Sequence, residues 1–560
     1  MRLALLPALF FLSACASEPV LHGSTGASSS SSSGAGGSTA ASSSGAGGMG
    51  TGGAAAWRSA LYPEDWSPSS TDAAGNFLHD FSYAGYHNGE SPPGAPASAA
   101  ILDVVASFGA DPTGATDATK AVQQALDAAS AQGGAVVLFP AGLYRIDGTL
   151  LVQASKIVLR GAGAEASRLH FTKSQGMSDA AHLRFAGDGT TDLEILLSQN
   201  GAPRATFVEV EDPGALAPGD DILIGWNISP EFIEEHGMTG TWQAFNGTWQ
   251  PFFRRTVVAI DKGVSPPRVV IDVPIRYPAK LRDKASIRRQ KGLLRECGVE
   301  SLGIANAVSW DDAWSVTRSH VIEFYAVADG WIRDVASFPS PSAPTSGKGA
   351  GAHLQTGGLL INESKRVTVS GVSLGLAENR GDGGNGYLFE VQRSNEILFR
   401  DSVGDGGRHN FIQNWGFGTT GCVWSRIQSR NGLSMVTKDD TVSPTGLSEF
   451  HHSLATANLI EASTFDDGFS IVNRQDESTG AGHTGTQNVL WNLSGKGMVR
   501  SLQFQTGYLI GTQGLYPVTE SPLPMGQGTA PVDWIEGLER GSDLQPPSLY
   551  DDQLARRLAH

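Results

Sequence analysis

Apolar residues come along this chain in short bursts, not in long periods. "KIVLRGAG", "HVIEFYAV", "RVTVSGVSLG", "NEILFRDSVG", "GCVWSRIQSRNG", "ANLIEASTF" and "QNVLWNLSG" are β-rich runs that close on, or are followed by, Gly, Asn, Ser or Asp. Alternation within a run sends one set of side chains inward and the other outward. In "GYLFEVQ" it points Tyr387, Phe389 and Val391 in, and Leu388, Glu390 and Gln392 out. Taken at Val367, Ile397, Val423, Leu459 and Val489, the runs recur roughly every 26–36 residues, a solenoid coil plus a variable excursion on one side. A single coil buries its inward face only against neighbours, so residues 101–515 are expected to form one continuous domain.

Two segments depart from the rhythm. Residues 103–146, "DVVASFGADPTGATDATKAVQQALDAASAQGGAVVLFPAGLYRI", read as a strand, a turn at Asp111–Gly114 and an amphipathic helix. Ala121, Val122, Ala125, Leu126 and Ala129 share that helix's apolar face, and Gly133-Gly134 ends it. Residues 205–290 contain strand pairs with hairpin-like turns, "FVEVEDPGALAPGDDILIGW" and "RTVVAIDKGVSPPRVVIDVPIRYP", which predict an inserted small antiparallel β subdomain. Its "GTWQAFNGTWQPFF" stretch, with Trp242 and Trp249, is either a minicore or an aromatic lip for stacking on sugars. Residues 57–100 precede the coils as an extension, and residues 516–560 are expected to cap their far end.

Composition narrows the setting. Met1-Arg2, the apolar run Leu3–Leu12 and "LSAC" make a cleavable signal, since the run is far below the ~20 residues of a membrane span. "LSAC" resembles the lipobox of bacterial lipoproteins, which implies removal of residues 1–14 and lipid attachment to Cys15. Ala16 then implies delivery to the outer membrane. Residues 15–56 are rich in Ser, Gly and Ala and lack periodicity, as a flexible tether does. A net charge of −16 argues against a nucleic-acid partner and leaves the lipid as the only membrane contact. Cys297 and Cys422 are too isolated for a disulfide framework and read as small buried residues.

The segment "FGADPTGATDATKAVQQAL" followed by "GGAVVLFPAGLYRI" resembles the N-terminal entry of the pectate-lyase-like superfamily, the rhamnogalacturonase- and epimerase-related group. The resemblance implies an all-β fold, a right-handed parallel β-helix whose open end is covered by the helix. It also implies an extracellular polysaccharide as the partner. The departures are specific: the hydrolases of this group carry a "GHG" motif with a nearby DD, and here "GAGHTG" stands alone. The arginine-proline motif and calcium-binding aspartates of pectate lyases are also missing.

In a parallel solenoid, equivalent positions stack ~4.8 Å apart, so distant residues become a column. On that basis Glu390, Asp405, Arg408, His409, Asp467 and His483 are catalytic candidates. Arg380, Asp382, Trp415, His451, Arg474, Trp242 and Trp249 are candidates for binding substrate. Hydrolysis needs two opposed carboxyl groups, one kept protonated, and the abundance of carboxylates favours it. Elimination on a uronate needs a base and a cation that neutralises the sugar carboxylate. No cofactor is required, and calcium enters only with elimination. The histidines lack an H-x-x-x-H pair, so no metal site is expected. A non-enzymatic adhesin with the same coils is the competing class.

Overall fold

A computed structural model describes residues 56–96, 98–440, 446–520 and 533–559. The signal, Cys15 and nearly all of the tether lie outside the described residues. The rest is a right-handed parallel β-helix. Its front face is a ten-stranded sheet in which the strands Leu150–Val152, Ala181–Ala186, His320–Tyr325, Leu359–Asn362, Tyr387–Gln392 and His409–Gln413 follow one another, with four more beyond. The remaining faces belong to one continuous sheet of shorter strands.

Register explains the core. Leu183, Ile322, Leu359, Phe389 and Phe411 stack in successive coils, each one residue from a strand neighbour that faces outward. Phe389 and Phe411 lie ring on ring at 4.5 Å, and Phe185 meets Phe324 at 4.6 Å. All of them join one apolar column that also takes in Cys297 and Cys422. The corners are stacked as well. Asp334, Gly371, Asp401, Arg426 and Ala462 take positive φ at one bend of consecutive coils, each donating its N–H to the coil above. Glycine and aspartate tolerate that bend best and occupy it at Asp334, Gly371 and Asp401, while Arg426 and Ala462 are held there by the same stacked hydrogen bond.

The helix Thr119–Ala131 buries Val122, Ala125, Leu126 and Ala129 against the first coils, as its periodicity predicts. The inserted subdomain is a six-stranded antiparallel sheet that begins earlier than expected, at Thr191, and ends at Gln290. It has its own core, in which Trp226 stacks on Phe252 at 3.7 Å, and Phe417 and Leu454 of the coils complete that core. Buried ion pairs seat it: Arg276–Glu396 at 3.0 Å, Arg366–Asp272 at 2.8 Å and Lys365–Asp221 at 2.8 Å.

The C-terminal helix Leu549–Leu558 does not cap the far end. It lies along the flank of the coils with the 57–100 extension, where Tyr62, Phe81 and Tyr550 cover Leu398, Val423 and Leu459. Gln553 pins the two termini together, accepting from Phe81 N at 2.8 Å and donating to the His79 carbonyl at 3.0 Å. The outward faces of those rear strands are apolar, so they need a cover more than the end of the spiral does.

Candidate functional site

The front sheet turns a row of polar side chains outward. Its register aligns Arg184, Glu323, Leu360 and Glu390 across four successive coils, and Ile412 and Glu449 continue the line. Glu390 points out as alternation predicts, yet it is fully buried. His320 Nε2 donates to it at 2.8 Å, Asn414 Nδ2 at 2.9 Å, and Gln392 also donates, while Arg318 Nη2 lies 3.3 Å away. Burial raises its pKa, but Arg318, His320 and Asn414 outweigh burial and hold the carboxyl at about 2. Glu390 is thus a fixed carboxylate, well suited to orient His320 and unable to act as a proton donor near neutral pH.

His320 lines an open cleft of about 600 Å³ that runs diagonally over the sheet. Lys173, Arg184, Arg318 and Arg393 line it against two carboxylates, Asp179 and Glu323. Three of the four cations are already ion-paired, Arg184 with Glu323 at 2.7 Å, Arg318 with Glu390 at 3.3 Å and Arg393 with Glu363 at 3.3 Å, and Lys173 stands outside those pairs. Trp415 and Gln392 form the opposite wall.

Next to the cleft, the rings of Tyr387, His409 and His451 form a triangle with centroids 5.3, 5.7 and 6.1 Å apart. Tyr387 sits at the mouth of its strand, so its ring joins these histidines and not the inward column that its parity predicts. Glu449 lies below the triangle, bonded to His451 Nδ1 and 3.6 Å from His409 Nε2. Burial would raise its pKa, and His409, Arg474 and His451 more than offset that, leaving it well below the ordinary carboxylate range.

Two trios of side chains among the described residues bring donor atoms within 4.8 Å of one another: His409, Glu449 and His451, and His87, Glu296 and Asp329. Calcium takes roughly six to eight oxygens. The first trio offers two imidazoles, a set for transition metals, and Asp329 of the second is already clamped by Arg366 and Arg295. Neither trio is the oxygen-rich set that calcium takes.

The other sequence candidates scatter. Arg408 and His409 part company. Arg408 Nη1 donates to the Gly381 carbonyl at 2.9 Å and pairs with Asp382 at 3.2 Å, bracing the turn before Tyr387, while His409 joins the ring triangle. The glycines around them are steric: a Cβ on Gly386 would meet Arg408 at 2.8 Å, and one on Gly407 would meet the Gly386 carbonyl at 2.7 Å. Asp405 lies on a different face, paired with Arg430 at 2.9 Å. Asp467 accepts from Asn410 and Gly432 under the turn, and burial pushes it up to about 6. His483 packs on Phe504 at 4.9 Å at the seam with the subdomain, away from the cleft, and burial pushes it down to about 4. Trp242 is no lip: it is fully buried, with Nε1 on the Ala481 carbonyl at 3.0 Å. Trp249 is half-buried on the subdomain, beneath Arg288 at 4.0 Å, beside a separate surface cleft. His409, His451 and Arg474 gather around Glu449, with Arg474 donating to the His451 carbonyl at 3.2 Å, while Glu390 sits behind His320 and Trp415 lines the cleft. His320, Arg318 and Glu449 were not singled out, although "TRSHVIEF" places an arginine and a histidine just ahead of a strand.

Residues 103–199 match the family described as Rhamnogalacturonase A/epimerase, pectate lyase-like. The matched stretch spans the capping helix and the first coils of the parallel β-helix. A search of curated proteins gives no significant sequence match. Among solved structures, the Geobacillus virus E2 ORF18 protein aligns over 78% of this chain and 59% of its own, at 12% identity and a TM-score of 0.40. The tailspike gp49 of Pseudomonas phage LKA1 aligns over 78% and 81%, at 12% identity and a TM-score of 0.35. An exopolygalacturonase from Thermotoga maritima aligns over 76% and 93%, at 10% identity and a TM-score of 0.32.

Proposed function

We propose that this protein cleaves an acidic extracellular polysaccharide in the front-sheet cleft, by β-elimination at a uronate. The observation that carries the reading is the His320–Glu390 pair, 2.8 Å apart, at a cleft lined by Lys173, Arg184, Arg318 and Arg393. A uronate carboxylate at Arg318 would have its charge offset, which acidifies the adjacent C5–H. Arg318 and His320 both hold Glu390, so that proton falls beside the imidazole. His320 takes the C5 proton, the C–H electron pair becomes the C4=C5 double bond, and the C4–O bond breaks. The imidazolium returns its proton to the departing oxygen, so the balance closes on one residue. Hydrolysis, which carboxylate abundance favoured, is less well supported in the cleft: Glu390 is locked as a carboxylate and Glu323 is paired with Arg184 at 2.7 Å.

The same proposal includes display at the cell surface, tethered through a lipid on Cys15 and the 15–56 linker, on the strength of "LSAC". A panel of acidic and neutral polysaccharides, read for reducing ends and for unsaturated-uronate absorbance, tests the chemistry. Both signals on an acidic polymer support elimination. Reducing ends alone indicate hydrolysis, and neither signal across the panel favours an adhesin.

A further inference from the structure

A second cavity, of about 320 Å³, opens beside the short helix Trp310–Trp314. Asn379 holds that helix in place, donating to the Ala313 and Val316 carbonyls at 3.2 and 3.1 Å, and the chain then runs on to Arg318. Trp310, Glu378, Arg380 and Met435 line the cavity, and the Lys348–Asp439 ion pair bridges its rim.

Three of the buried side-chain polar atoms that have no hydrogen-bond partner among the described residues belong to its lining. Glu378 is 1% exposed; one carboxyl oxygen accepts from Val308 N at 3.2 Å, and the other is buried with no hydrogen-bond partner among the described residues. Arg380 Nε and Trp310 Nε1 are buried and unpartnered in the same way. Arg380 also has no carboxylate partner among the described residues; its one side-chain bond is to Met435 Sδ at 3.8 Å. Buried polar atoms in folded proteins are nearly always satisfied, and three that gather at one cavity are placed to meet a ligand's polar groups. The lone guanidinium selects an anion, the indole offers a flat apolar face, and the carboxyl and indole N–H suit sugar hydroxyls.

We propose that this cavity is a second carbohydrate site, taking one uronate unit, with its carboxylate on Arg380 and its ring against Trp310. The proposal shares only its ligand class with the cleavage reading and stands or falls separately from it. Burial pushes Glu378 up to about 8, so at neutral pH it is a neutral hydrogen-bond donor that does not repel the incoming carboxylate. The charged groups around it are Arg380 on its own segment, Asp312 on the helix, Lys348 from the 343–351 loop, and Lys438 and Asp439 from the 433–440 loop. Lys438 and Asp439 are spoken for by Asp311 and Lys348.

Calorimetry with digalacturonate tests this in the His320→Ala background, which removes turnover at the cleft. Two binding steps are expected there, and Arg380→Met should weaken one of them by about 10- to 100-fold. Trp310→Ala should do the same, and Lys173→Ala should weaken the other step. Between about pH 7 and 9 the Arg380-dependent step should lose affinity as Glu378 ionises beside the sugar carboxylate, and Glu378→Gln should abolish that loss. Cellobiose, which is uncharged, should not bind at this step. Finding no step that folded Arg380→Met weakens, whether one or two steps are seen, overturns the site. Because the readout is binding, a protein that proves not to be a lyase could still show the Arg380-dependent step.

Discussion

His320 Nε2 lies 2.8 Å from Glu390 Oε2, although 70 residues separate them in sequence. The contact spans two coils: Glu390 stacks on Leu360, which stacks on Glu323 of the His320 strand. Glu390 is a positioning residue. Glu390→Gln should lower kcat about 10- to 100-fold with little change in KM, and Glu390→Asp should recover part of the loss. Steady-state kinetics on folded variants provides the check.

The cleft's charge should act on binding more than on chemistry. Lys173→Glu is expected to raise KM about tenfold while kcat holds, and the difference should shrink as salt rises. Kinetics on an acidic polymer at low and high ionic strength would show it.

Glu396 bridges Arg276 at 3.0 Å and Arg255 at 3.5 Å, all three side chains buried at the seam between coils and subdomain. Glu396→Gln leaves two guanidinium groups without their counter-charge and should cost about 3–5 kcal/mol in denaturant unfolding.

Asp467 supplies a pH signature. Its carboxyl is raised from 3.8 to about 6 by burial, so the folded state holds a proton that the unfolded chain gives up sooner. Stability from this group is therefore present at low pH and lost as pH rises from about 4 to 6. Asp467→Asn should match the parent near pH 4 and exceed it by about 1–3 kcal/mol at pH 8. Turnover should survive, since Asp467 sits under the turn and not in the cleft.

Surface display has its own test. Cys15→Ser should abolish incorporation of labelled palmitate and move the protein from the membrane fraction to the soluble one.

The coils were legible because their signal is local. Apolar bursts ending in bend-forming residues map onto strands and positive-φ corners, and Val122, Ala125, Leu126 and Ala129 mark the helix by spacing alone. The site was legible only in part. Glu390 could be placed outward on its strand, but His320 acquires its role from a carboxylate two coils away. Glu378 shows no motif, and its chemistry comes from burial. Tyr387 departs from its strand's parity because strand ends are governed by neighbouring turns, here Gly386 against Arg408. Trp242 and Trp249 illustrate the reverse: an aromatic cluster in sequence is equally a lip or a core, and only the docking of the subdomain on Phe417 and the coils decides.

The central claim is that His320 removes a proton from a uronate in this cleft. Its most direct test compares initial rates of unsaturated-uronate formation for the parent and for folded His320→Ala, on the acidic polymer that the parent degrades fastest. The parent should form the chromophore, and the variant should form it about 10²- to 10⁴-fold more slowly. Equal rates in the two proteins, or degradation by the parent without the chromophore, would contradict the claim.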